Sequence, residues 1–428
     1  LLLSGTITPQ ISTPWYLEPH SQTIPWKIAF AGSANSTTPF CLSVENAELA
    51  TMEWSQAGEW VKGEKQRVYE EVAQGQLQQK PVGRWYHMRV IIPVIIVSLL
   101  LWQRAIFARP VTRTREVAGV PQYVLDYAPL VWLDAGEAYF PSDIFSQVQN
   151  THPNINFTTI RNLPPLTLDN LNILNAYGNN GKNVYLTSNI DVTEEPKWLT
   201  GIIPDSKGKT NNVTSSAIIL NDRGNGTVDA FYMYFYAYNQ GNTVFFQELG
   251  DHIGDWEHNM IRFEDKKPQM MWFSQHGNGQ AFTYKSVEKM NKSIRPISYS
   301  AKGSHANYAV PGIHDHLIPD LNLPAGFLQD YTSRGLLWDP TLSAYFYNFN
   351  GNSSTFESIN GSPVGAMYYR GRWGDQQYSD KDPRQSPPFF GFRKFVSGPT
   401  GPWDKQLNRA NICPDNGILC IIRDRLGP

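Results

Sequence analysis

The sequence lacks a long apolar run, a basic cluster, an internal repeat, a low-complexity tract and any alternation of strand-like and helix-like patterns. Each absence excludes something. The most apolar stretch, Val90 to Trp102, would rise about 20 Å as a helix, short of the ~30 Å hydrocarbon core of a bilayer, so no stable transmembrane span is expected. With a net charge of −2 and no lysine and arginine cluster interleaved with aromatics, nucleic-acid binding has no support. The missing βαβ alternation argues against a parallel α/β sheet. The H-E-x-x-H frame of zinc proteases is absent, and no G-x-S-x-G nucleophile elbow surrounds Ser304. Cysteine is scarce, with three in the chain. Cys413 and Cys420 are close enough to close a small terminal loop as a disulfide, with two free thiols as the alternative, while Cys41 lies in an N-terminal stretch of a different character.

That stretch begins at Leu1 rather than methionine, and residues 1–87 show no sustained helical or strand period. Only Gly63 to Gln79 reads as a short exposed helix. Met88 then opens MRVIIPVIIVSLLLWQRAIFARP, with Arg89 as a positive n-region, an apolar core, and small residues from Ala105 to Ala108 as a cleavage site. This is the anatomy of a secretory signal peptide, and Pro93 with the flanking arginines argues against a buried core helix. The expected organisation is a gene-model artefact or disordered extension over 1–87, a signal peptide over 88–108, and a single β-rich domain over 109–428 with room for two sub-domains. A body of that length can bury a sizeable core. Six N-x-Ser/Thr sequons follow the signal, at Asn156, Asn212, Asn225, Asn291, Asn352 and Asn360, and one, Asn35, precedes it. They fit a glycosylated protein of the secretory pathway.

What the body does have is aromatics, at 13% of the chain, with 33 glycines and 30 prolines to punctuate short strands. Strands are expected at 184–187, 217–220, 228–238, 258–263, 269–274, 297–300 and 343–349. The run NDRGNGT from Asn221 to Thr227 reads as a hairpin turn. Long loops are expected at 311–324 and 380–391. The fold expectation is a mainly β protein, an antiparallel β-sandwich or jelly-roll-like body with long loops.

Histidine is concentrated in one place. Six of the nine lie between Asp251 and His316: His252, His258, His276, His305, His314 and His316, accompanied by Asp251, Asp255, Glu257 and Asp315. Imidazoles and carboxylates brought together can hold a divalent metal or move protons. If DWEHNMIRF is a strand, positions 255, 257, 259, 261 and 263 share a face, and Ile261 and Phe263 would bury it. Two carboxylates about 7 Å apart at the mouth of a core repel each other unless a cation or a proton intervenes. The expected metal set is therefore His252, Asp255, Glu257 and Asp251, holding Ca²⁺, Mg²⁺ or Mn²⁺. His258, His276, His305, His314, Asp315 and His316 are candidates for supporting or ligand-binding roles. The competing expectations are solvated carboxylates, a salt bridge to Arg262, and histidines that hydrogen-bond backbone. Trp256, Trp338 and Trp373, each beside an acidic residue, are expected either in the core or stacked on sugar.

The runs VPQYVLDYAPLVWL, YFPSDI, LTLDNL, VYLTS, GDWEHNMIRF, QHGNGQAFTY, YSAKGSHANYA, HDH, GLLWDP, RWGD and GPTGP together resemble the fungal vacuolar protein sorting-associated protein 62 family, with similar plant proteins. The resemblance covers nearly all of Val120 to Cys420. It implies a part in delivering proteins to the vacuole, which we take as a non-enzymatic lumenal factor whose partner is vacuolar cargo, located in the secretory pathway, vacuole or outside the cell. It also leads one to expect asparagine where this chain has Asp251. The shorter run HIGDWEH is similar to the necrosis-inducing cytolysins of plant pathogens at His252, Asp255, Trp256 and Glu257. That similarity implies a β-sandwich with a divalent cation, used in contacting membrane glycolipid heads. The alternatives are thus a metal-assisted hydrolase, with His258 or His305 as base, and a secreted cytolysin-like protein that binds lipid or glycan.

Overall fold

The computed structural model describes residues 116–427 apart from 245, 292, 316–327 and 390, together with the backbone of four strands nearer the N-terminus. The signal-like segment at 88–108, Asn35 and His316 lie outside the described residues. The chain divides into two units, Leu1–Arg104 and Ala105–Pro428. In the first, strands Leu3–Ile7, Ile11–Glu18, Lys27–Phe30 and Phe40–Ser43 pair antiparallel in sequence order.

The second unit is built on an eight-stranded sheet and a smaller four-stranded one. In chain order the strands are β1 (Leu130–Leu133), β2 (Ser216–Gly224), β3 (Thr227–Asn239), β4 (His252–Glu264), β5 (Lys267–Gln275), β6 (Asn278–Thr283), β7 (Ile297–Ser300), β8 (Asn307–Tyr308), β9 (Leu337–Trp338), β10 (Ala344–Asn350), β11 (Thr355–Ile359) and β12 (Ile422–Arg423). The large sheet runs β11-β10-β2-β3-β4-β5-β6-β12 and the small one β8-β7-β1-β9. Pairing is antiparallel except for β10 with β2, β12 with β6 and β7 with β1. Strand outweighs helix, and the architecture is the mainly β, sandwich-like one expected from the sequence. Every expected strand is present, most of them longer at one or both ends. The expected hairpin joins β2 to β3 through Asn225 and Gly226, both at positive φ (+52° and +78°), the backbone that a tight hairpin turn requires.

The central strand explains the layering. In VDAFYMYFYAY, Phe231, Met233 and Phe235 join one core cluster, while Tyr232, Tyr234 and Tyr236 join another on the opposite face. A strand buried on both faces needs apolar or aromatic residues along nearly its whole length, and in this run the charged exception, Asp229, is paired with Arg262. The tyrosine face packs on the small sheet through Val131, Leu133 and Trp338. The other face lies under a short helix, α1 (Ile144–Gln149), the helical turn Leu171–Ala176 and the strand Tyr185–Ser188. Asp143 caps α1 by accepting the Ser146 N–H at 3.1 Å.

Trp256, Trp338 and Trp373 are buried, which corrects the sugar-stacking expectation. Trp256 and Trp373 meet edge to face at 5.3 Å, and Phe235 packs on Trp256 at 4.9 Å. Cys413 and Cys420 are joined in a disulfide with 5.6 Å between their Cα atoms. All six sequon asparagines of the second unit are exposed, and all but Asn352 adopt positive φ at turns.

Candidate functional site

The site starts at the first residues of β4. Asp255 lies opposite Tyr236 and Glu257 opposite Tyr234 on β3. Both carboxylates point with Asn259, Ile261 and Phe263 toward the small sheet, as the two-residue period requires. His258 is out of phase with them. Its ring sits on the opposite face beside Phe231, 6.2 Å between centroids. Gly254 interrupts the strand at φ +68°, because the Trp373 carbonyl oxygen lies 2.2 Å from where a Cβ would be. That kink breaks the alternation, and His252 turns back toward Asp255, with 3.8 Å from its Nε2 to Asp255 Oδ1.

The counter-charge for these carboxylates comes from His305. The tight turn after β7, AKGSHA, closes through the His305 N–H to the Ala301 carbonyl and holds His305 at φ +56°. Its ring lies flat on Tyr236 at 3.7 Å and is fully buried. Nδ1 is 3.0 Å from Asp255 Oδ2, and Nε2 is 3.0 Å from the Tyr139 carbonyl and 3.8 Å from Glu137 Oε1. A carbonyl oxygen can only accept, so Nε2 carries a hydrogen. The ionised Asp255 also accepts, so Nδ1 carries one too, and the ring is an imidazolium. Burial alone would lower the pKa of His305, but the Glu137 charge and the Asp255 hydrogen bond push it up to about 10. Burial likewise opposes ionisation of Asp255, yet hydrogen bonds from His252 and His305 hold its pKa well below the usual carboxylate range. Glu137 is also buried, and His305 with the Gly303 and Tyr139 N–H groups keeps it low. Glu257 is the exception. Burial and the Asp255 charge raise it, and its proton balance is shared with the Ser274 hydroxyl, which donates to it while accepting the His258 N–H at 2.9 Å.

A second cluster adjoins the first through the same turn. Ser304, next to His305, donates to Asp330 Oδ1 at 2.7 Å. Asp330 Oδ2 receives the Tyr308 hydroxyl at 2.7 Å and His276 Nε2 at 2.6 Å. Burial pulls the pKa of His276 down, and the Asp330 charge and hydrogen bond more than reverse it. His314 stacks on Tyr308 at 3.8 Å with Nε2 3.0 Å from Thr332 Oγ1, and burial lowers its pKa. Asp315 stands at the surface and, with Gln275, His276, Asn278 and Tyr308, lines a shallow pocket.

The structure thus brings together His252, Asp255, Glu257 and His305, and separately His276, His314 and Asp315. Asp251 belongs to neither. It is buried, accepts the Gly241 N–H at 2.7 Å, and its pKa is pushed up to about 6 by burial. Arg262 does not bridge to Asp255 or Glu257 but pairs with Asp229 at 2.7 Å. Among the described residues no group of three or more histidine, cysteine, aspartate or glutamate side chains is arranged to hold a metal ion. Sequence reasoning missed Glu137, Ser304, Tyr308, Asp330 and Tyr236. Of these, Ser304 and Tyr308 stood in the run YSAKGSHANYA and Tyr236 in an expected strand, but none was assigned to the site.

A family model described as vacuolar protein sorting-associated protein 62 matches residues 115–347, a stretch that holds the small sheet, the large sheet as far as the start of β10, and both clusters. The chain belongs to the vacuolar protein sorting-associated protein 62 family. Among curated Saccharomyces cerevisiae proteins, it is 38% identical to the putative vacuolar protein sorting-associated protein TDA6, over 69% of this chain and 68% of that one. It is 33% identical to vacuolar protein sorting-associated protein 62 itself, over 70% of this chain and 68% of that one. Solved structures give weaker likenesses. A toxin fold for microbial attack and plant defense matches at 12% identity and a TM-score of 0.25, covering 56% of this chain and 79% of the other. NLPPya in complex with glucosamine matches at 11% identity and the same TM-score, covering 61% and 83%.

Proposed function

We propose that this member of the family is a non-enzymatic lumenal factor in the delivery of proteins to the vacuole. Membership with two yeast proteins that carry sorting names is the observation that supports it. The site geometry favours a binding or structural role over turnover. His305, a candidate base, donates from both ring nitrogens, and His258 faces away from Asp255. Six exposed sequons support a route through the secretory pathway, and among the described residues no helix is long and apolar enough to cross a membrane. The test is complementation in yeast lacking both relatives. The chain expressed from Met88 should restore retention of a soluble vacuolar hydrolase, and its recovered product should lose mass on endoglycosidase treatment. Continued secretion of the hydrolase with either the full or the Met88 form would count against the sorting role. Rescue by the full chain alone would instead assign a role to residues 1–87.

A second reading, a divalent cation at His252 and Asp255 with Glu257 near, is favoured by one detail. His252 Nδ1 lies 3.0 Å from the Gly250 carbonyl and must donate to it. Its Nε2 faces Asp255 Oδ1 at 3.8 Å, so this nitrogen either donates to Asp255 or, without its proton, shares with it a cation of the Ca²⁺, Mg²⁺ or Mn²⁺ class. The cation would supply charge neutralisation at that edge. Adding one of these ions to chelator-treated protein should raise the melting temperature, and Asp255→Asn should abolish the rise. A melt indifferent to all three ions contradicts this reading.

A further inference from the structure

The face of the large sheet opposite Asp255 holds a feature that neither the family nor the acidic site accounts for. Arg409 is 5% exposed, and its Nε and Nη1 groups have no hydrogen-bond acceptor. Its Nη2 reaches only the Met260 sulfur, at 3.0 Å. The guanidinium lies over Phe231 and Trp272, 5.1 and 5.6 Å from their ring centroids. Those rings attract its flat face but do nothing for N–H groups in its plane. Nearby groups are in the same condition. Both ring nitrogens of His258 are buried without a partner, and so is the indole N–H of Trp272. His258 and Met260 are two residues apart on β4, and Trp272 on β5 is directly across from Met260, so these groups occupy one patch.

The arrangement is anchored. Arg262 donates to the Ala410 carbonyl at 2.8 Å, and Asn221 donates to the Leu407 carbonyl at 2.8 Å. Among the described residues no carboxylate serves Arg409. Asp229, whose charge reaches it, has both oxygens bound to Arg262 at 2.7 and 2.8 Å. A buried guanidinium without a counter-charge is costly, and burial together with neighbouring positive charge depresses it and His258 alike. Water could accept from these donors but would leave the charge uncompensated.

We propose that this patch is a buried binding site for a small inorganic anion of the halide class, held by the Arg409 guanidinium, the His258 ring and the Trp272 indole N–H. Lys405, four residues before Arg409, adds to the positive field felt at His258. Enclosure selects a compact monoanion over phosphate or sulfate. The site is structural: it fastens the segment 405–410 to the sheet.

The test is a thermal melt of the full chain at constant ionic strength, with chloride or bromide replacing gluconate. Melting temperature should rise along a saturating curve with either halide and stay flat with sulfate. Arg409→Met should lose the halide dependence. Should that variant fail to fold, a bromide-soaked crystal of the unaltered protein decides, with an anomalous peak expected within hydrogen-bond distance of Arg409 Nη1. Equal melts in halide and gluconate, a halide response that survives Arg409→Met, or ordered water alone at the patch would overturn the proposal.

Discussion

Replacing His305 by glutamine should be among the most damaging single changes this chain can suffer, at roughly 3–5 kcal/mol of stability, the range for breaking a buried ion pair. The substitution keeps a hydrogen bond donor but removes the positive charge, leaving Asp255 and Glu137 buried and uncompensated. The pH dependence has a definite sign. The folded-state pKa of His305 lies above its unfolded value, so its contribution is fully present below about pH 6.5 and is lost as pH rises toward about 10. Glu257, also raised when folded, adds loss in the same direction, beginning above its ordinary value of 4.5. Asp255 acts oppositely and weakens the fold only as pH falls below 3.8. Stability should therefore peak in mildly acid solution. Urea unfolding midpoints should fall between pH 6.5 and 10, and His305→Gln should flatten that decline. A midpoint that climbs through this range would show that the array is not ionised as described.

The second large effect is expected at Gly254. A methyl group there would meet the Trp373 carbonyl oxygen at 2.2 Å, on a backbone at φ +68° that L-residues adopt at a cost. Gly374, next to Trp373, is as tight, since a Cβ on it would sit 1.8 Å from the Ile253 carbonyl oxygen. The RWGD run and the start of β4 thus close on each other backbone to backbone. Gly254→Ala should cost about 3 kcal/mol, the sum of overpacking and left-handed strain. It should also swing His252 away from Asp255. A denaturation midpoint within error of the parent would refute the close approach.

These residues mark how far the sequence could be read. Strand positions and the shared face of Asp255, Glu257, Ile261 and Phe263 were legible because a two-residue period is local. The hairpin at Asn225 and Gly226 was legible for the same reason, since turn chemistry is written in neighbouring residues. The repulsion between the two carboxylates was also foreseen, along with the need for a cation or a proton. Its partner was not identified. Glu137 and the turn carrying His305 meet across 166 residues, as the Gly303 N–H to Glu137 bond shows, and no periodicity encodes which loops of two sheets converge. Asp330 escaped notice because a lone aspartate in a loop carries no signal until Ser304, Tyr308 and His276 surround it. For the tryptophans the sequence left core packing and sugar stacking open, because a neighbouring carboxylate does not say which face of a strand an indole takes; the structure places all three in the core.

The ionised Asp255–His305–Glu137 array is best tested by observing the His305 ring directly. In ¹⁵N-resolved NMR of chelator-treated protein at about pH 8, between the ordinary histidine value of 6.5 and the expected value of about 10, both ring nitrogens should give the signals of a doubly protonated imidazolium. A ring nitrogen with the shift of an unprotonated imidazole would contradict the array.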